Sequence, residues 1–263
     1  MAAHFESVAI TWLIDLLSLP KESAGTFVGS CTSASIVALA AGRDAVLSYM
    51  NWDAAKNGLI GAPPISIYVG AETHSSVSKA FGVVGLGRLS TGRHVTQLPV
   101  NSQGVLTAES IKGMQPPEPL AIVVLQAGHV NIGAFDEFPA VIAWARSGKS
   151  KGFGIWIHVD GAFGLWAAVS SLQSRRELVK GVDGADSWAT DLRKMLNVPY
   201  DSAMVAVRDG ATLVASMSAA APYIPPVGDT DGGSQSDSQT INFKPAEVLP
   251  ECQNSRRARG LVA

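Results

Sequence analysis

The chain has 263 residues, 47% of them hydrophobic and 16% charged, with a formal net charge of −2. That is length enough for one large domain, and the balance excludes a disordered protein and leaves no basic footprint for nucleic acid or anionic lipid. Its two cysteines, Cys31 and Cys252, are too few for a disulfide framework and fit a reducing compartment. No apolar run reaches membrane-spanning length. The apolar stretch from Val8 to Leu19 contains Asp15 and lacks a basic n-region and a small-residue cleavage site, so it reads as an amphipathic helix rather than a signal peptide. The expected location is cytoplasmic.

In chain order, Val8, Trp12, Leu13, Leu16 and Leu17 repeat at helical spacing over residues 6–18, and Pro20 stops the helix. The small, polar run Gly25–Ser35 feeds a helical pattern from Ile36 to about Met50. A loop of this kind at a helix N-terminus offers unpaired N–H groups to a phosphate, although an ordinary capped helix has the same look. Ile65–Val69 reads as a strand, with His74 opening the helix after it; a histidine there serves as a cap or core partner more often than in catalysis. His94–Val100 reads as a strand and Thr107–Met114 as a short helix, before Pro116, Pro117 and Pro119 break the pattern. Ala121–Gln126 is a continuous apolar run of the kind buried on both faces of a parallel sheet. A helix from Asp136 through Trp144 and strands at Gly154–Asp160 and Met204–Arg208 follow. Alternating strands and helices predict an α/β fold with a mostly parallel sheet flanked by helices. The polar, glycine-rich run Val227–Gln239 predicts a mobile loop.

One stretch carries chemistry. Asp186–Asp201 holds a single lysine, Lys194, and the strand upstream ends on a carboxylate, Asp160. A lysine and an acid so placed point to covalently bound pyridoxal phosphate, with Lys194 making the Schiff base and Asp160 keeping the pyridine nitrogen protonated. His74, Gln126 to His129, Asp160 and Lys194 all follow strand-like runs, where ligands bind in such sheets.

Five pieces in order, Phe27–Ser35, Thr73–Ser76, Leu125–Asp136, His158-Val-Asp-Gly-Ala162 and Ser187–Asp201, resemble the group II pyridoxal-dependent decarboxylases, the family of glutamate and aromatic-amino-acid decarboxylases. The resemblance implies a fold-type-I large domain with a seven-stranded sheet over residues 1–215. Residues 216–263 would be a mobile loop and the start of a connection to a small domain, the chain being truncated at both ends relative to the family. It implies loss of the α-carboxylate of an amino acid as CO2, and a homodimer. Matched positions make Lys194 the Schiff-base lysine, Asp160 the pyridinium partner, Ala162 and His74 the groups on either ring face, and Cys31 and Thr32 part of the phosphate loop. Arg193 would add positive charge near the phosphate, His129 would lie around the ring, and Tyr223 would return a proton to the carbon that CO2 leaves. Arg193 and Met195 stand where the family has His and Trp, and His129 and Ile132 where near members have Asn and Thr. Two alternatives stay open: an aldehyde-forming or aminotransferase relative, and a non-catalytic homologue that binds the cofactor.

Overall fold

Ala121–Gln126, buried along its whole length, forms a central strand of the sheet. The computed structural model describes residues 2–148 and 153–218. In chain order its helices and strands are α1 (Ala2–Leu16), β1 (Ala24–Val28), α2 (Cys31–Ser48), α3 (Ala54–Asn57), β2 (Ser66–Gly70), α4 (Ser75–Val83), β3 (Val95–Leu98), β4 (Ala121–Gln126), α5 (Phe138–Arg146), β5 (Ile155–Asp160), α6 (Gln173–Arg176), β6 (Ser187–Asp191), α7 (Leu192–Met195), β7 (Ala203–Val207) and α8 (Gly210–Met217). The strands make one seven-stranded sheet in the order β1-β7-β6-β5-β4-β2-β3. β3, β2, β4, β5 and β6 run parallel, and β7 pairs antiparallel with both β6 and β1. The expected mostly parallel α/β sheet is what forms.

Alternation along the strands divides the core in two. Val123, Leu125, Ile157 and Val159 face the layer that holds Ile10, Ile14, Phe138 and Val141. Ile122, Val124 and Trp156 face the layer of α2, α4 and α8, with Val37, Phe81 and Leu213. On β5 the residues that share the side of Trp156 are His158 and Asp160, so the α2 layer is where the acid points. α2 lies tight on this strand at Gly42, where a Cβ would come 2.6 Å from Trp156 Cδ1. Gly42→Ala is therefore expected to cost about 1–3 kcal/mol through overpacking, read as a lower denaturant midpoint at unchanged slope.

Three expected elements differ. Residues 25–28, the start of the small, polar run, belong to the edge strand β1; their Gly and Thr content hides an antiparallel pairing to β7 that only tertiary context supplies. α2 begins at Cys31 rather than Ile36, because Ser30 caps it by accepting the Ser33 N–H at 3.1 Å. The helix expected over Thr107–Met114 is one 3-10 turn, Glu109–Ile111; Thr107 and Ser110 accept each other's backbone N–H, and Gly113 at φ +73° ends the run. Tyr223 and the run Val227–Gln239 lie outside the described residues. Among the described residues, no helix is long and apolar enough to cross a membrane.

Candidate functional site

The carboxyl ends of β4, β5 and β6 meet the first turn of α2 and the start of α4 around one small cleft of about 100 Å³. Strand register places its floor: Gln126, the last residue of β4, is paired with Asp160, the last of β5. Lining residues include Cys31, Thr32, His74, Gln126, Asp160, Ala162, Phe163, Asp191, Arg193 and Lys194. Eight of the nine anchor and cofactor positions expected from sequence thus have a definite place: Lys194, Asp160, Ala162, His74, Cys31, Thr32 and Arg193 share the cleft, and His129 sits beside it. Tyr223 falls outside the described residues.

Asp160 is 5% exposed. Its Oδ1 accepts the Ala162 N–H at 3.1 Å and lies 3.8 Å from the Cys31 thiol. Burial pushes its carboxyl above the usual range, against the Ala162 N–H and the charges of His74 and Lys194. Two residues upstream on the same strand, His158 is fully buried and burial holds its pKa down at about 3, so it is a neutral ring. Its Nδ1 lies 2.9 Å from Ser187 Oγ, which also accepts the Trp156 indole N–H. This contact between His158 and Ser187 ties β5 to β6 beneath the cleft.

Lys194 sits on the four-residue α7, exposed, its Nζ 3.9 Å from the centroid of the Phe163 ring. That cation–π contact parks the amine over the turn that follows Asp160. Asp191, fully buried, caps α7 by accepting the Arg193 N–H at 3.0 Å and also takes Arg193 Nε on both carboxylate oxygens, at 3.2 and 3.0 Å. The Arg193 guanidinium carbon lies 4.1 Å from the Tyr200 ring centroid. The long arginine is thus folded onto the wall, between an acid and an aromatic face. Phe163 and Asp191 were not singled out from sequence. Asp191 is a carboxylate ending a strand just before the lysine, the same signal that marked Asp160.

His74 is the N-cap of α4; its Nδ1 accepts the Ser76 N–H at 3.2 Å and lies 2.7 Å from Ser76 Oγ. His129 is placed differently from its neighbours Gly128 and Val130, which line the cleft. Its side chain is buried, with Nε2 3.1 Å from Glu72 Oε2, so it ties the loop after β2 to the loop after β4. Ile132 is exposed on that same loop. No cluster of His, Cys, Asp or Glu suited to a metal ion occurs among the described residues.

Asp136 braces the loop from behind. Its two oxygens accept the Leu106 and Gln126 N–H groups, both at 2.7 Å, while burial pushes its pKa from 3.8 up to about 7. A folded value above the unfolded one means that Asp136 contributes stability at low pH which is lost as pH rises from about 4 through about 7. Denaturation midpoints should fall between pH 5 and pH 8, and fall less in Asp136→Asn.

Known proteins resemble this chain over most of its length. An aromatic-L-amino-acid decarboxylase of Bacillus atrophaeus is 28% identical over 217 residues, covering 81% of this chain and 41% of that protein. A phenylacetaldehyde synthase of Arabidopsis thaliana is 28% identical over 233 residues, 82% of this chain and 43% of that protein. The chain thus spans about two fifths of the length of these curated relatives. The apo form of mouse CSAD superposes with a TM-score of 0.75 at 20% identity, over 99% of this chain and 50% of the other. Oryza sativa TDC with PLP and tryptamine gives 0.69 at 24%, over 86% and 46%. At these identities the structures speak for the fold, which is that of fold-type-I decarboxylases. The pyridoxal-dependent decarboxylase conserved domain matches residues 1–243, nearly the whole chain, and so the chain belongs to the pyridoxal-dependent decarboxylase family.

Proposed function

We propose that this chain binds pyridoxal phosphate in the cleft at Lys194 and serves the removal of the α-carboxylate of an amino acid as CO2. The observation that carries the reading is the pairing of a buried acid, Asp160, and an accessible amine, Lys194, in one cleft at the strand ends. The residues present fit the cofactor. Asp160 is costly as a buried anion with no cation bonded to it among the described residues, where both its side-chain contacts fall on Oδ1; a positively charged ring nitrogen at Oδ2 would offset that cost. When bound, pyridoxal phosphate supplies an aldehyde for an amine and a ring that takes up the electron pair a departing carboxylate leaves behind.

The protein supplies the rest. Lys194 provides the anchoring amine and holds or releases a proton as it leaves the Phe163 face. Asp160 keeps the ring nitrogen charged, and Ala162 and His74 flank the ring. The N–H groups of Cys31 and Thr32, at the start of an 18-residue helix, and the Arg193 guanidinium favour the phosphate. Tyr223 returns the proton to the α-carbon. His129 acts through the loop it braces. The cofactor domain is residues 1–215, and residues 216–263 lead from it.

The working unit we infer is a cytoplasmic homodimer. Its support is the apolar rim beside the cleft, where Ile132, Met195 and Tyr200 are 57%, 58% and 70% exposed. A second reading, aldehyde formation, is favoured by the likeness to the phenylacetaldehyde synthase. Purified with added cofactor, the chain is expected to show a bound-cofactor absorbance and to release CO2 from at least one acidic, aromatic or basic amino acid, leaving an amine. An aldehyde product favours the second reading. Soluble protein with neither absorbance nor CO2 release overturns both.

A further inference from the structure

We propose that Cys31 is a positioning residue for Asp160, its thiol donating to Oδ1 so that Oδ2 is the oxygen left for a cationic ring nitrogen. The inference rests on the pyridoxal reading above and gives the Cys31 side chain a task apart from the backbone N–H offered to the phosphate.

The placement is built rather than incidental. Cys31 opens α2, and the Ser30 cap fixes that turn. The residue is 8% exposed, and its sulfur lies 3.8 Å from Asp160 Oδ1, within reach of a sulfur hydrogen bond. The Ala162 N–H, at 3.1 Å, meets the same oxygen. One carboxylate oxygen is thus held by two donors from two elements, and no bond among the described residues holds the other. Burial raises the thiol well above its ordinary pKa, and the charges of Asp160 and Asp191 add to this against Lys194. Cys31 is therefore a thiol and a donor, not a thiolate nucleophile. The charged groups acting on Asp160 are His74 ahead of α4 and Lys194 on α7, with the Cys31 thiol completing its surroundings. The thiol favours the ionised carboxylate, so its loss makes Asp160 easier to protonate.

Two measurements test this. In the free chain, Cys31 alkylation by iodoacetamide is followed by peptide mass, with Cys252 in the same digest as reference. Asp160→Asn is expected to speed alkylation of Cys31 by roughly threefold or more; an unchanged rate overturns the coupling. In the cofactor-loaded protein, retention of pyridoxal phosphate is titrated towards acid by absorbance. Cys31→Ala is expected to move the acid limb up by about half a pH unit, and Cys31→Ser to move it back. Cofactor retained with an unmoved limb in Cys31→Ala overturns the positioning role alone. A wild-type chain that takes up no cofactor overturns the functional reading and this role together.

Discussion

Lys194→Ala is expected to abolish covalently held pyridoxal phosphate and to lower CO2 release by at least about 10³-fold, since one amine both anchors the cofactor and moves protons beside it. No second amine lines the cleft among the described residues: the other cation there is Arg193, already bonded to Asp191 through Nε. Stability of the cofactor-free chain should barely change, because Lys194 is exposed and its contact is a surface cation–π pair worth roughly 0.5–1 kcal/mol. Retained folding with lost attachment is what separates an anchor from a structural lysine. Absorbance, peptide mass and a denaturation curve on the same preparation read all three quantities.

Asp160→Asn is expected to cut CO2 release by about 10²-fold or more, because a neutral amide cannot hold a ring nitrogen charged and a hydrogen bond between charged partners is worth roughly 1.5–3 kcal/mol. The cofactor-free protein should change in the opposite sense. Burial raises the folded pKa of Asp160 above its unfolded value, so the group stabilises the fold at low pH and that contribution is lost as pH rises through the folded value. The amide removes this loss, so Asp160→Asn should be as stable as the wild type or more so near neutral pH, and show less decline with pH. A strained functional group that stabilises the fold when replaced marks a site kept for chemistry. Loss of stability along with activity would instead make Asp160 a packing residue.

The sheet and its site were legible to different degrees. β2, β4 and β5 announced themselves as apolar runs because a parallel strand is covered on both faces, and Asp160 and Lys194 stood out as charges at the ends of such runs. β1 and the start of α2 did not, since Gly25, Thr26 and Ser30 look like loop until β7 pairs with one and the Ser33 N–H meets the other. The Lys194 perch on Phe163 and the Arg193 fold onto Asp191 and Tyr200 are tertiary contacts that no spacing encodes. His129 shows the converse: the motif put it beside the ring, while its imidazole is bonded to Glu72 on a neighbouring loop.

The central claim is that Lys194 is the cofactor anchor. Reductive trapping tests it most directly: the chain is incubated with pyridoxal phosphate, reduced with borohydride, digested and mapped by peptide mass. The pyridoxyl adduct is expected on the peptide that contains Lys194 and absent from it in Lys194→Ala. An adduct spread over exposed lysines such as Lys112 and Lys180, with none at Lys194, would contradict it.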